Sequence, residues 1–185
     1  MDQAPELEAF WKKIEGERAE ILREVEGLSQ AQFDWRPADN EWSVGEVIHH
    51  LTIAEIATGK LTSNMLREAA AAGTLRPRPD GHTFFDPLPP PLAPRPAGAA
   101  ETPAHIWPEH GHPKADLLAG ITAARERSRR NFERVAAIDP RPLVRKHAWA
   151  GDLHLGQYWT IVPLHDRIHV QQIRDIKAAR GFPKA

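Results

Sequence analysis

The stretch WSVGEVIHHL, residues 42–51, contains the clearest helix start in the chain. Ser43 stands three residues before Glu46, which is the spacing of a capping box. In that arrangement the side chain of each residue accepts a hydrogen bond from the backbone N–H of the other. The pattern predicts a helix that begins here, continues to about Ala72 and stops at Gly73.

Three further segments carry apolar residues at helical spacing, with charged residues between them. They run from about Pro5 to Leu28, from about Pro113 to Ala137 and from about Leu155 to Arg180. The sequence shows no internal repeat and no β-rich region. Four long helices in a chain of 185 residues predict an all-α protein that forms a four-helix bundle, with residues 1–185 as one domain.

A long proline-rich connection, residues 73–112, separates the second predicted helix from the third. It contains more than half of the 17 prolines, including the run DPLPPPLAPRP. Connections of this length are either surface loops or lids over a binding site, and both readings stay open. In the second reading His110 or His112 would lie near the site. The connection also contains His82 and His105.

The overall composition excludes several classes of function. The chain has 24 basic and 25 acidic residues and a net charge of -1, whereas dedicated nucleic-acid binders usually have a basic excess. It has no cysteine, so disulfides, thiolate ligands and a cysteine nucleophile are excluded. No apolar run has the length of a signal peptide or a membrane span. We therefore expect a cytoplasmic protein with no membrane or nucleic-acid partner.

The last predicted helix contains two histidines in the stretch LHDRIHVQQI, residues 164–173. At about 100° per residue, His165 and His169 fall near the centre of the apolar face. This projection places Ile168 on the same face and Asp166 toward the opposite side. Histidines spaced i, i+4 lie above one another on a helix, so both rings can reach one metal ion.

The helix that begins at Ser43 supplies a third inward histidine. In the pair of adjacent histidines, His50 points toward the apolar stripe and His49 points away from it. Glu46 borders the same stripe, one turn before His50. Three imidazole nitrogens suit zinc, nickel or iron(II), and a set of three protein ligands leaves a coordination position open for water.

The alternative is that these histidines are core residues satisfied by hydrogen bonds. Three buried imidazoles would then each need two hydrogen-bond partners, and a metal removes half of that demand. Ring nitrogens that do not bind the metal still need partners of their own. The sequence offers Glu46, Glu55 and Asp152 for this role and does not select among them.

Two parts of the sequence, taken together, resemble the DinB-like superfamily. The first is DWRPADNEWSVGEVIHHLTIAE, residues 34–55, and the second is HAWAGDLHLGQYWTIVPLHDRIHVQQI, residues 147–173. They carry a W-S-x-x-E-x-x-x-H-L helix start, a G-x-L stretch before the last helix and a closing H-x-x-x-H-x-x-Q. The order and separation of these pieces extend the resemblance over essentially the whole chain. The superfamily includes YfiT-like metal-dependent hydrolases and bacillithiol- and mycothiol-dependent transferases.

This resemblance implies a bundle of up-down-down-up topology, often found as a homodimer. It also implies a three-histidine metal site, whose ligands in this chain would be His50, His165 and His169. One departure from the superfamily is visible. The last helix commonly begins there with a Ser or Thr cap, whereas His154 stands near that place here.

The site and the resemblance lead to two functional hypotheses. In the first, a divalent metal ion activates a low-molecular-weight thiol or water for attack on a small-molecule substrate, as in a thiol S-transferase or a hydrolase. Any thiol must come from a cosubstrate, and Glu46 could serve as a catalytic base. In the second, the protein is a non-catalytic, stress-associated metal binder.

Overall fold

The computed structural model describes residues 5–79, 84, 86–88, 102–147 and 150–184. Within these residues the chain forms five α-helices, one short 3-10 helix and one two-stranded hairpin. The helices are α1 (Pro5–Val25), α2 (Gln30–Asp34), α3 (Val44–Ala71), α4 (Lys114–Ala136) and α5 (Leu155–Ala178), the 3-10 helix is Ala104–Ile106, and the strands are β1 (Val144–His147) and β2 (Gly151–His154).

The four predicted long helices are present as α1, α3, α4 and α5, so the all-α prediction is confirmed. Helices α1 and α5 run parallel, since Glu17 pairs with Arg167 and, further along both helices, Glu24 pairs with Arg174. Helices α3 and α4 also run parallel to each other. Gly45 lies against the side chain of Leu117 near their starts, and Ser63 lies against Asn131 toward their ends.

The α1–α5 pair is antiparallel to the α3–α4 pair. The beginning of α1 packs against the end of α3, where Leu7 shares an apolar cluster with Met65. The end of α1 packs against the beginning of α3, where Val25 shares a second cluster with Val47. The resulting order is up-down-down-up, and the long connection between α3 and α4 is what allows two consecutive long helices to be parallel.

Three capping boxes define helix starts. Ser43 and Glu46 cap α3 as predicted. Ser29 and Gln32 cap the short helix α2, which the sequence reading did not predict. His154 caps α5, because its ring accepts a hydrogen bond from the backbone N–H of Gln157 while the Gln157 side chain accepts one from the N–H of His154. An imidazole therefore replaces the Ser or Thr hydroxyl at this position.

A β-hairpin precedes α5 and was not predicted. Val144 pairs with His154 and His147 pairs with Gly151 in an antiparallel register. Each strand has four residues, which is too short for an alternating apolar pattern to be visible in the sequence. Gly151 has a φ of 71°, a backbone conformation that glycine adopts without strain at the turn.

The core consists of two apolar clusters, one toward each end of the bundle. Each cluster takes side chains from all four long helices, so each long helix contributes to both. Burial of this apolar surface is the main stabilising contribution. The first cluster includes Leu7, Trp11, Met65, Phe132 and Trp159, and the second includes Val25, Val47, Ile121, Val170 and Ile173.

Between the two clusters lies an ionic layer made of one charged residue from each long helix: Arg18, Glu55, Arg125 and Asp166. Nη2 of Arg18 lies 2.9 Å from a carboxylate oxygen of Glu55 and 2.9 Å from one of Asp166. Arg125 lies 2.7 Å from Glu55 through Nε and 2.9 Å from Asp166 through Nη2. Each buried charge therefore has two opposite charges, which offsets the cost of removing it from water.

Two of the predicted side-chain orientations in α5 are wrong. Asp166 was expected on the outer side, but it is 1% exposed, and Ile168 was expected inside but is 54% exposed. Helix α5 has a second buried face, directed toward α1 and α4, and Asp166 lies on it because Arg18 and Arg125 neutralise its charge. These partners are distant in the sequence, so a projection of one helix does not show them.

The described part of the proline-rich connection packs on the bundle instead of forming only a surface loop. Leu75 packs against the first apolar cluster, and the side chain of Phe84 is fully buried within it. A Cβ at Gly156 would lie 2.4 Å from the carbonyl oxygen of Phe84, so only glycine at that position permits this approach. His82 lies outside the described residues.

Candidate metal centre

The structure brings the three predicted histidines together between α3 and α5. Nε2 of His165 lies 3.1 Å from Nε2 of His50 and 3.1 Å from Nε2 of His169. His50 and His169 are buried, and His165 is half-buried. One nitrogen from each ring lies within 4.8 Å of the other two, close enough for all three to bind one metal ion.

The outer nitrogens of two of these rings have hydrogen-bond partners that fix the ring orientation. Nδ1 of His50 lies 2.9 Å from the carbonyl oxygen of Ile106, and Nδ1 of His169 lies 2.6 Å from Oε1 of Gln172. Both partners are acceptors, so each Nδ1 carries the hydrogen and donates it. When neutral, the rings of His50 and His169 therefore direct the lone pairs of Nε2 at His165.

This arrangement fits a metal ion better than it fits hydrogen bonds among the rings. Nε2 of His165 carries at most one hydrogen, and two lone pairs converge on it at 3.1 Å. One hydrogen cannot make two linear hydrogen bonds. Nitrogens that bind one tetrahedral zinc ion at about 2.0–2.1 Å are about 3.3 Å apart, close to the observed spacing. The donor set therefore suits zinc, nickel or iron(II).

Two tryptophans cover the cluster on one side. The ring of Trp42 lies 4.9 Å from that of His50 and 6.4 Å from that of His169, measured between centroids. Trp107 packs edge-on against Trp42 and is 53% exposed. The aromatic cover limits access of water to the histidines from this side. The 3-10 helix that ends at Ile106 lies directly before Trp107, so this short segment supplies both a partner and part of the cover.

Glu46, the predicted base, does not lie in this cluster, and neighbouring donors hold its carboxylate. Its carboxylate accepts hydrogen bonds from Arg36 at 2.8 Å, from the backbone N–H of Ser43 at 2.9 Å and from His110 at 3.3 Å. Burial opposes ionisation of Glu46, but the hydrogen bonds from Arg36 and Ser43 outweigh it and lower its pKa. A carboxylate held ionised by three donors is a weak proton acceptor.

The other acids considered as partners of the ring nitrogens also lie elsewhere. Glu55 belongs to the ionic layer, and Asp152 is exposed on β2. The partners observed are Gln172 and the backbone of Ile106. Gln172 had a signal in the sequence, because it stands one helical turn after His169. The contact of Ile106 had none, because a backbone carbonyl carries no side-chain signature.

The histidines at the end of the proline-rich connection do not join the metal cluster in the described structure. His110 pairs with Glu46, and His112 lies 3.1 Å from Glu109 and packs edge-on against the ring of His49. His49 accepts a hydrogen bond from the backbone N–H of Glu109. These contacts dock the segment onto the start of α3, and the contact with the three-histidine cluster comes from Ile106, at the outer nitrogen of His50, instead of from His110 or His112.

The sequence model of the DinB superfamily matches residues 13–173. The chain belongs to the DinB superfamily. It is also 24% identical over 165 residues to the uncharacterized protein YuaE of Bacillus subtilis (strain 168), covering 86% of this chain and 92% of that protein. No solved structure gives a significant match.

This DinB superfamily protein has a cavity of about 560 Å³ that reaches one of the three histidines. His165 forms part of its wall, so the metal cluster is reached from the cavity. The volume lies within the range of small-molecule pockets. Within the described residues, none of the helices combines the length and the apolar character that crossing a bilayer would require.

Proposed function

We propose that this DinB superfamily protein is a metal-dependent enzyme of the thiol S-transferase or hydrolase type. The observation that carries the proposal is the convergence of three imidazole nitrogens on one point beside a cavity. A structural zinc site is closed by four protein ligands, whereas three ligands beside a cavity leave a coordination position for a reactant. The proposed ligands are His50, His165 and His169.

The proposed cofactor is one divalent ion, either zinc, nickel or iron(II). When bound, such an ion lowers the pKa of a coordinated thiol or water, which makes it a nucleophile at neutral pH. The chain has no cysteine, so a thiol nucleophile must come from a low-molecular-weight cosubstrate.

The residues of the chain itself position the ligands and exclude water. Ile106 and Gln172 hold two of the rings in the tautomer that directs the Nε2 lone pairs inward. Trp42 packs over His50 and His169 and shields them from solvent. Together these contacts organise the donor set before a metal or a substrate arrives.

The metal content of purified protein tests the ligand assignment. We expect inductively coupled plasma mass spectrometry to find about one metal ion per chain in the wild type. The metal should be lost in His50→Ala and in His169→Ala. His49→Ala is the matched control, because it removes an adjacent histidine that faces away from the cluster, and it should keep the metal. Full metal content in His50→Ala and His169→Ala would exclude the proposed ligands.

Turnover tests the catalytic part of the proposal. The metal-loaded protein would be offered a panel of low-molecular-weight thiols with a reactive electrophile, and separately a panel of activated esters and amides. His169→Ala serves as the inactive reference. A rate no higher than that of His169→Ala with every combination would contradict the proposed activity while leaving metal binding intact.

A second candidate function is a metal-binding, stress-associated protein without catalysis. One observation favours it: Glu46, the acid proposed as a base, is held by Arg36, Ser43 and His110, and the described residues place no other carboxylate in the cluster. This function predicts a metal-dependent rise in melting temperature with no turnover. The two experiments above therefore distinguish the candidates.

The remaining expectations also stay proposals. We propose a small-molecule substrate, a homodimer, a single domain over residues 1–185 and a cytoplasmic location, with neither a nucleic-acid nor a membrane partner. Light scattering coupled to size-exclusion chromatography tests the dimer directly, because the monomer has a mass of 20.7 kDa.

A further inference from the structure

The cavity beside the metal centre is elongated along two antiparallel helices. On α5 its wall extends from Tyr158 to His165, and on α3 it extends from Leu51 to Leu61. Tyr158 and His165 are seven residues apart, which is about 10 Å along a helix axis. The metal cluster lies at the His165 end, so the opposite end of the cavity is about 10 Å from it.

The middle of the cavity is lined by apolar side chains. Ile161 and Val162 face it from α5, and Ala54 and Ala57 face it from α3. The two alanines matter because short side chains at these positions leave open the space that a leucine would fill. Ile106, which also holds His50, closes the same space from the connection before α4.

Each lysine, arginine, aspartate and glutamate side chain in the cavity wall has an opposite charge nearby. At its floor, Arg18, Glu55 and Asp166 belong to the ionic layer, in which each charge is paired. At its far end, Lys146 of β1 lines the cavity, and its cross-strand partner Asp152 of β2, which is not a lining residue, carries the opposite charge.

We propose that this cavity binds the apolar body of an elongated, uncharged small molecule, whose reacting end lies at His165. This assignment rests on the proposed function only in its claim that a reaction takes place at the His165 end of the cavity. The substrate class is therefore a molecule with an aliphatic or aromatic body about 10 Å long, and the body binds through apolar contact with the walls.

Binding of n-alkanols from butanol to dodecanol to metal-free and metal-loaded protein, followed by NMR titration, tests this assignment. Each added methylene should lower the Kd about fourfold while it still fits between the helices. The gain should stop near eight carbons, because an extended chain of that size is about 10 Å long. No detectable binding of octanol, or a gain that continues unchanged to dodecanol, would overturn the proposal.

Two leucine substitutions on α3 localise the binding. Ala57→Leu places a larger side chain in the cavity and should weaken octanol binding at least about tenfold. Ala70→Leu makes the same change at an exposed position of the same helix and should leave the Kd within about twofold of the wild type. Equal affinities in the two variants would place the alkanol elsewhere and refute the assignment.

The affinities of octanol and octanoate test whether the occupant of the cavity is uncharged. Octanoate should bind no more tightly than octanol, since Asp152 stands opposite Lys146 in the hairpin. Octanoate affinity about tenfold above that of octanol would overturn the uncharged occupant in favour of an anionic one.

Failure of this proposal and failure of the proposed function give different results. Absent turnover with intact, Ala57-dependent octanol binding would contradict the catalytic function and leave the cavity assignment standing. Turnover with no octanol binding would refute the cavity assignment and leave the catalytic function standing.

Discussion

The amide of Gln172 is a side-chain partner of Nδ1 of His169. Its Oε1 accepts the Nδ1 hydrogen at 2.6 Å and thereby keeps the lone pair of Nε2 directed at the other two histidines. Partners of this kind typically contribute a factor of about 10–100 to metal affinity. Gln172 therefore positions the proposed ligand His169 without being a proposed ligand itself.

We expect Gln172→Ala to weaken metal binding about 10–100-fold, measured by competition with a chelator of known affinity. Gln171→Ala is the matched control, because Gln171 is exposed and bonds to Asp175 on the outside of α5. Metal affinity in Gln172→Ala equal to that in Gln171→Ala would show that the hydrogen bond to His169 has no such role.

Asp166 is another single residue whose effect can be measured, and we expect it to contribute to the stability of the fold instead of to metal binding. Asp166→Asn removes one of the two carboxylates that face Arg18 and Arg125, and so leaves excess positive charge buried in the ionic layer. We expect the free energy of unfolding of the metal-free protein to fall by about 3 kcal/mol, measured by urea denaturation. In Asp175→Asn, which changes an exposed carboxylate of the same helix, the free energy of unfolding should fall by less than about 0.5 kcal/mol.

A loss in Asp166→Asn as small as that in Asp175→Asn would mean that the ionic layer contributes little to stability. The use of metal-free protein matters here, because Asp166 is adjacent to His165 in the sequence.

At the scale of the element, the start of α5 depends on the protonation state of its cap. Nδ1 of His154 accepts a hydrogen bond from the N–H of Gln157, while Nε2 lies 3.0 Å from a carboxylate oxygen of Asp86. Burial lowers the pKa of His154 below its ordinary value of 6.5 and outweighs the opposing effect of Asp86. The folded protein therefore favours the neutral ring, which alone can accept the bond from Gln157.

We expect acid to destabilise the metal-free protein partly through this cap. Because the pKa is lower in the folded state, the contribution of His154 is complete above pH 6.5 and is lost as the pH falls below 6.5 toward the folded-state pKa. In His154→Ser the cap is retained by a hydroxyl that does not titrate. The variant should lose less stability than the wild type between pH 7.5 and pH 5, measured by urea denaturation at each pH.

Burial also lowers the pKa of His147, so His147 also loses stabilising effect as the pH falls. The wild type and His154→Ser share this contribution. The difference between their pH profiles isolates His154. Parallel profiles would show that the cap does not sense pH.

At the scale of the whole molecule, the three-histidine cluster joins the two antiparallel halves of the bundle. His50 belongs to α3, whereas His165 and His169 belong to α5. A metal bound by all three histidines is bound only by the folded protein, so its binding energy adds to the free energy of unfolding.

We expect a free metal concentration of about 100 times the Kd to raise the melting temperature by about 5–10 °C. A chelator should reverse the increase, and His50→Ala should show none, by differential scanning calorimetry. The same increase in His50→Ala would mean that the metal stabilises the protein from another site.

Local sequence signals determined the long helices and selected the three histidines that lie together in the structure. The Ser43 capping box and the helical periodicity placed the long helices to within a few residues of their ends. The projection of each helix selected His50, His165 and His169, because the direction of a side chain on a helix follows from its position alone. The orientation of His49 away from the cluster followed in the same way.

Contacts between distant residues were decided only by the tertiary structure. Arg18 and Asp166 are 148 residues apart, and His50 and Ile106 are 56 apart. The sequence showed neither pairing, because the energy of a buried charge or of a ring nitrogen depends on what the fold brings next to it. For the same reason Asp166 was expected outside, and the buried position of Phe84 went unpredicted. Periodicity therefore determined the main apolar face of each long helix, whereas packing added a second buried face to α5 and determined what each face contacts.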